Sequence, residues 1–525
     1  MNPRRHGAAA LAVITSRTSA RTVARKVAVS AALSVALSAT LVGCASLTPP
    51  TAPSVVVPPA RWQTDLPPVP HGGQVGQLSA WWKQWNDPLL SELVDAAQQA
   101  SPSLAAARSR LVQARATRVA AGAANQARVD GSVSATRSNT NLLLPTNTVA
   151  QAGLQASWEI DLFGAGRAGR DAADARLAAA DASWHEARVS VAAETASAYL
   201  GWRNCERQRA LAVRDATSRN ETARLVQASA SAGFTAPATA ALARASAAEA
   251  AARLRQQQAQ CDSQQQALAA MTAQSPEALR ARLARQAEPV PADPVAAMTA
   301  LASAPLFAVS AVPAQVLAQR PDLFQAERAV AAAVADIGAA QADRYPRLTL
   351  GGTVAAGGVR MAGRETTGQT WSLGPLSLTL PIFDAGRRAA NVEAAQARYD
   401  EAVSRYQAQT RRAVQEVEQS LLALEAARGR SGDASAAAEG YRASFEATET
   451  RHRNGLASLV ELEDARRNLL AAETALVQLQ RELQEGWIAL YRAAGGGWEL
   501  ASAQSSNTTA AASPAASSAP GLSKP

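Results

Sequence analysis

The string Leu162-Phe163-Gly164-Ala165-Gly166-Arg167 returns as Ile382-Phe383-Asp384-Ala385-Gly386-Arg387, each time after a strand-like run and ahead of a long alanine-rich stretch. Register tests whether this is duplication. Pro102-x-Leu104-x-x-Ala107 matches Pro321-x-Leu323-x-x-Ala326 at an offset of 219, Gly166 matches Gly386 at 220, and the turn glycine Gly233 matches Gly455 at 222. Chance reuse of a motif does not hold one offset across three landmarks, and so small a drift is what loop insertions leave. The chain is two copies of one unit. It is an architecture and not a catalyst built around a single pocket.

Each copy reads helix, two strands, long helix, turn, returning helix. In copy one a helical run spans about Pro88 to Gly122, and strands follow near 129–137 and 150–162. The second of these alternates strictly, with Ala152, Leu154, Ala156, Trp158, Ile160 and Leu162 on one face and Gln151, Gln155, Ser157, Glu159 and Asp161 on the other. A period of two gives one apolar face and one wet face. Copy two places strands near 347–357 and 370–383, where Leu376, Leu378, Leu380 and Ile382 continue the alternation after a break at Gly374-Pro375 that predicts a bulge or bend.

Strands of roughly 9 to 11 residues suit a tilted membrane span. Four strands cannot close a barrel, for which about eight is the practical minimum, and an open edge is not tolerated in lipid. Several chains must then lend four strands each to one barrel. The alternative on residues alone is a soluble sheet packed on helices. The helical runs from Gly166 to Gly233 and from Gly386 to Gly455 would each span roughly 100 Å if continuous, too long for a compact globule, with Gly429 and Gly432 expected to loosen the second. In the returning segment Leu462, Leu469, Leu476, Leu483 and Leu490 recur every seven residues, with Ala465, Ala472, Leu479 and Gly486 three residues later. This is the pattern of a helix packed on a partner with a left-handed supercoil.

The first 43 residues read as an export signal, with Arg17, Arg21, Arg25 and Lys26 ahead of an apolar run ending in Leu41-Val42-Gly43-Cys44. Small residues before a cysteine fit a lipoprotein processing box, making Cys44 the expected lipid attachment point; a bare secretory cleavage site is the alternative. Ala45 follows in place of the aspartate that holds many lipoproteins at the inner membrane, which favours the outer membrane. This segment carries six Lys or Arg and no acid, so only +3 of the net charge of +9 belongs to the rest, and nothing argues for nucleic acid. No later run of 18 apolar residues predicts a transmembrane helix.

Cys205 and Cys261 lie at equal distance from Gly233, hence at equal height in an antiparallel hairpin about that turn. In an oxidising periplasm they are expected to bond, the alternative being two unrelated buried thiols. No phosphate loop, dinucleotide fingerprint or nucleophile elbow is present, and His71, His185 and His452 stand outside any ligand spacing, so neither enzyme, cofactor nor metal is expected. The expected organisation is a signal over 1–43, a lipid anchor and proline-rich linker over 44–80, one repeat over 81–290, a second over 291–500, and a disordered tail rich in Ala, Ser, Thr and Pro over 501–525.

Three stretches carry a family resemblance. They are Trp82-x-x-Trp85-x-Asp87-Pro88-x-Leu90, Ser157-Trp158-Glu159-Ile160-Asp161-Leu162-Phe163-Gly164, and Arg320-Pro321-Asp322-Leu323-x-x-Ala326-Glu327 continuing to Asp336-Ile337-Gly338-Ala339-Ala340 and Tyr345-Pro346. From Cys44 to about Ala494 the chain resembles the outer-membrane factor family, the TolC-like channels of the NodT-type efflux lipoprotein group. The resemblance implies a mainly α protein with membrane β: a homotrimer whose twelve strands form an outer-membrane barrel continued by a twelve-helix periplasmic barrel. It also implies a periplasmic adaptor meeting the tip turns at Gly233 and Gly455, and an inner-membrane pump of the RND type supplying the energy. Matching Gly455 to Ala465 to the family pattern puts the acids of the periplasmic aperture at Glu461 and Asp464; solvent-facing acids at a helix start are the plain alternative. The first turn, Gly233-Phe234-Thr235-Ala236-Pro237, lacks the acid many relatives carry. Arg451 and Arg453 flank the second. An exit duct for protein secretion shares this fold, and a pore-free coiled-coil lipoprotein scaffold is the rival from another class.

Overall fold

A computed structural model describes residues 62–63, 81–83, 85, 87–139, 146–286 and 313–498. The signal over 1–43, Cys44, most of the 44–80 linker and the 501–525 tail lie outside the described residues. Strands β1 (Arg128–Ser138), β2 (Asn147–Ile160), β3 (Arg347–Met361) and β4 (Arg364–Thr379) form one antiparallel sheet in that order. The pairing sorts Val129, Val133, Leu154, Val354, Trp371 and Leu373 onto one face and Asp130, Gln155, Thr353 and Ser372 onto the other. Trp371 is 79% and Leu373 82% exposed, so among the described residues nothing covers the apolar face. Among the described residues, β1 and β4 each keep an unpaired edge. Lipid can take the face and further strands can take the edges.

The ladder shifts register between Leu350 and Gly352, beside Gly374-Pro375, where proline has no N–H to donate. Strand ends differ from the expected spans. β4 starts at Arg364 and not at 370, because Ala362 and Gly363, at φ 50° and 79°, make a tight turn after which polar Glu365, Thr366 and Thr367 join the ladder at once. β3 accordingly runs to Met361, past 357. β2 stops at Ile160, leaving Leu162 outside it.

The helices are α1 (Pro88–Ala100), α2 (Pro102–Ala123), α3 (Ala165–Ser231), α4 (Pro237–Thr272), α5 (Pro276–Gln286), α6 (Pro313–Ala318), α7 (Pro321–Ala342), α8 (Arg387–Arg453) and α9 (Leu459–Ala493). The single run expected from Pro88 to Gly122 is therefore two helices. Pro102 bars Ser101 from helical geometry, and the Ser101 hydroxyl instead accepts a hydrogen bond from Leu104 N. α3 and α8 are unbroken over 67 residues each, roughly 100 Å. Gly429 and Gly432 do not loosen α8, because packing on α9 outweighs a propensity loss of roughly 1 kcal/mol apiece.

Near the sheet the wall runs α2, α3, α7, α8; farther out it runs α4, α3, α9, α8. Two short helices in each copy thus stack along one long one, and the chain is four helices wide at either level. At mid-length a collar holds the main core. Trp81 and Trp82 pack on Tyr491, with the Trp81 ring stacked at 4.8 Å, over Leu89, Leu90, Leu93 and Leu268. Trp62, from within the proline-rich linker, is 8% exposed and belongs to this core. Asp87 caps α1 through Leu90 N and accepts from Tyr199 Oη at 2.6 Å and Arg203 at 3.0 Å, which gives the Trp-Asp-Pro motif its structural reason. Burial pushes the Tyr491 hydroxyl up to about 12.

Candidate functional site

The ends of α3 and α8 farthest from the sheet close in the same way. Gly233 and Gly455 take left-handed φ of 82° and 74°, while Phe234 N reaches Ser229 O at 3.0 Å and Leu456 N reaches Arg451 O at 2.8 Å. This is the hydrogen bonding of a glycine-terminated helix, and a side chain at either glycine would strain the turn. Phe234 and Leu456, equivalent in the two copies, are 86% and 69% exposed. Ala223, Ala243, Leu459 and Leu462 hold the two hairpins together just above the turns.

Glu461 and Asp464 lie one helical turn apart at the start of α9, both exposed. Ser458 caps the helix by accepting from Glu461 N at 3.1 Å. Each acid has a cation beside it: Arg451 stands 3.7 Å from Glu461, and Arg467 donates to Asp464 at 2.5 Å. Arg453 turns back to Glu449 on its own helix. The exposed acids can attract cations.

Between them is an acid of another kind. Glu463 is buried and accepts from Arg219 of α3, from Ser246 of α4 at 2.7 Å and from Arg466 at 2.6 Å, while Arg219 also holds Asp215 at 2.8 Å. Burial lowers the Arg466 pKa, with the Glu463 charge opposing. Higher up, Glu473 joins Arg214 of α3 at 3.1 Å to Arg442 of α8 at 3.0 Å. Sequence reading missed this network, since its partners lie 244 positions apart and a carboxylate on a helix reads as a solvated face. Its only signal is Glu463 and Arg466 falling on the buried stripe of Leu459 and Leu462.

Cys205 on α3 and Cys261 on α4 are joined as a disulfide, their Cα atoms 5.5 Å apart. In the collar, Arg320 is buried and grips Asp322 with two nitrogens at 2.7 and 3.0 Å, Glu416 of α8 at 2.7 Å and Ala493 O of α9 at 3.0 Å. Burial acts to raise the Asp322 pKa, but the Arg320 contact outweighs it and holds the carboxyl below its ordinary range. Glu186 of α3 faces the same small cavity, and burial, then the charge of Asp322, pushes its pKa up.

The model of the outer membrane efflux protein family matches residues 93–274 and 312–496. The chain is 29% identical over 471 residues to the pyoverdine export outer membrane protein OpmQ of Pseudomonas putida, covering 88% of this chain and 96% of that one. It is 28% identical over 478 residues to the solvent efflux pump outer membrane protein SrpC of Pseudomonas putida, covering 88% and 97%. Among solved structures it is similar to the outer membrane protein VceC of Vibrio cholerae, with a TM-score of 0.67 and 26% identity over 80% of this chain and 99% of VceC.

Proposed function

The chain belongs to the outer membrane efflux protein family, and from that premise we propose how its own residues serve as anchor, tip and gate of a passive trimeric exit duct. Such a duct is the outer-membrane part of a tripartite pump, and an inner-membrane pump supplies the energy through a periplasmic adaptor. The observation that carries the reading is the sheet: four strands, an uncovered apolar face and two free edges, feeding a wall four helices wide. Three copies make twelve strands and twelve helices. The polar face, with Asp130, Gln155, Thr353 and Ser372, lines the lumen, and the apolar face meets lipid.

Gly233 and Gly455 form the tip turns that meet the adaptor, with Phe234 and Leu456 as the apolar contacts. Glu461 and Asp464 from three chains form the acidic ring of the periplasmic aperture. Their exposure in the single chain supports this. Arg451 and Arg467 moderate the ring's charge. The pump partner is of the RND type, and the cargo is small solutes or drugs.

Cys44 carries the lipid, and chain length supports it. Gln63 N is held by Glu418 in the collar, 31 residues along α8 from Arg387 and so roughly 47 Å from the sheet. The 18 residues from Cys44 to Trp62, if extended as their prolines favour, reach about 56 Å. That spans the gap back to the membrane.

Single-channel recording of the detergent-extracted protein in a planar bilayer, with oligomeric mass taken on the same sample, tests the duct. A conducting trimer is expected; a monomer that stays soluble overturns the reading. Glu461→Ala with Asp464→Ala is expected to raise conductance, and an unchanged conductance from an intact trimer would sink the gate assignment.

A further inference from the structure

The apolar face of the sheet stops short of the end farthest from the helices. Two rows above Val133 and Ala152, the same face carries Arg137 of β1, Thr148 of β2, Arg360 of β3 and Glu365 of β4, side by side in the pairing register. Arg137, Arg360 and Glu365 are all exposed, and Arg360 donates to Glu365 at 2.6 Å. Arg137 is thus the charge this row leaves unbalanced.

Depth locates the row. From Ala152 to Ile160, the β2 residues of the apolar band, eight steps cover roughly 27 Å along the strand and about 21 Å after barrel tilt, close to the height of a lipid-facing band. Thr148 lies four residues farther, about 10 Å above Ala152 along the membrane normal. This puts both guanidinium groups on the lipid side of the wall, above the hydrocarbon and within the headgroup layer. Charge that faces outward at such a depth lies level with the headgroups and can meet their phosphates. In a trimer the row closes into a belt of six arginines and three glutamates, a surplus of one cation per chain.

We propose that this belt, Arg137 with Arg360, binds the phosphates of anionic lipid in the outer leaflet. Arg360 is held in place by Glu365, while Arg137 supplies the uncompensated charge. Guanidinium matches phosphate with two parallel hydrogen bonds. The occupant is lipid and not a soluble anion, because the arginines share a face with Val133 and Leu154 and a bound phosphate must bring acyl chains alongside that surface. The inference rests on the sheet forming a membrane barrel, so conductance is read on the same samples.

The test is native mass spectrometry of trimers in detergent, wild type and Arg137→Gln with Arg360→Gln, incubated with lipid A bearing both phosphates or with its dephosphorylated form. Wild type is expected to retain the phosphorylated lipid over the other by roughly fivefold or more. The double variant should conduct normally and lose that preference. Equal retention of the two lipids by wild type overturns the proposal, whether or not the variant assembles, and so does a variant that keeps the preference. A wild type that forms no conducting trimer would instead refute the barrel.

Discussion

α2 and α7 hold the same place in the two repeats, have the same length of 22 residues and start on equivalent prolines, yet α2 buries two residues and α7 buries seven. Their neighbours explain it. Among the described residues α2 packs chiefly on α3 and stands at the edge of the wall, while α7 lies between α3 and α8. The returning helices repeat the contrast. α4, at the edge, buries eight residues, half of them alanine, whereas α9, between α3 and α8, buries its leucine stripe together with Glu463, Arg466 and Glu473. Duplication supplied one backbone plan, and position in the wall then decided the side chains. Interior helices acquired core and buried ion pairs. Edge helices bury smaller residues, and the α3–α4 seam carries the disulfide.

The most damaging way to probe this contrast is at the equivalent residues Ser101 and Arg320. Arg320→Met leaves Asp322 buried without its cation and frees Ala493 O, and is expected to lower unfolding stability by about 3–5 kcal/mol. Ser101→Ala removes only a helix cap and should cost about 1 kcal/mol. Thermal unfolding of both variants in one detergent decides the matter, and similar losses would break the comparison. Next in size is the disulfide. Cys205→Ser with Cys261→Ser should cost about 2–4 kcal/mol, given the 56-residue separation it closes. Amide exchange should then quicken in α4 and leave α9 unchanged, because α9 is held by packing on both sides. Faster exchange spread evenly over α4 and α9 would show that the seam is not the weak point. Smaller again is Ala236→Ser. The backbone there is already extended and has no side-chain cap, unlike Ser458 in the second repeat, so the hydroxyl should slow fraying of α4 by about 1 kcal/mol or less.

Periodicity made the plan of this molecule legible. A period of two exposed the sheet faces, a constant offset exposed the repeat, and glycines at equivalent positions marked both tips. The same signals failed where side chains stopped alternating. The start of β4 is polar and pairs through its backbone ladder and the Arg360–Glu365 contact, so its six residues before 370 carried no apolar signal. The break at Ser101 was hidden because Pro102 sits at a first helical position, where proline favours a helix as much as it ends one. Of the site, Glu461 and Asp464 come from matching a family pattern and stand as the proposed gate acids. The Arg219–Glu463 pair was not legible, since the buried stripe marks Glu463 but a partner 244 positions away leaves no local trace.

The smallest effect probes the junction of the two repeats. Glu186, on α3 of the first, faces Arg320 and Asp322 of the second, and burial, then the neighbouring acid, raises its pKa. An acid with a raised folded pKa favours folding when protonated, so its contribution is present below the ordinary carboxylate range and is lost as pH rises through the folded value. Asp322 has the opposite sign: its depressed pKa contributes stability above the ordinary range, lost as pH falls. Asp322 is present in both wild type and Glu186→Gln, so it largely drops out of their difference. The variant, which mimics protonated Glu186, should melt higher than wild type at neutral and alkaline pH and converge with it at acidic pH. A difference that does not change with pH would mean the charge of Glu186 is already compensated by Arg492 and Arg320. The junction between repeats would then be as fully paired as the interior of either.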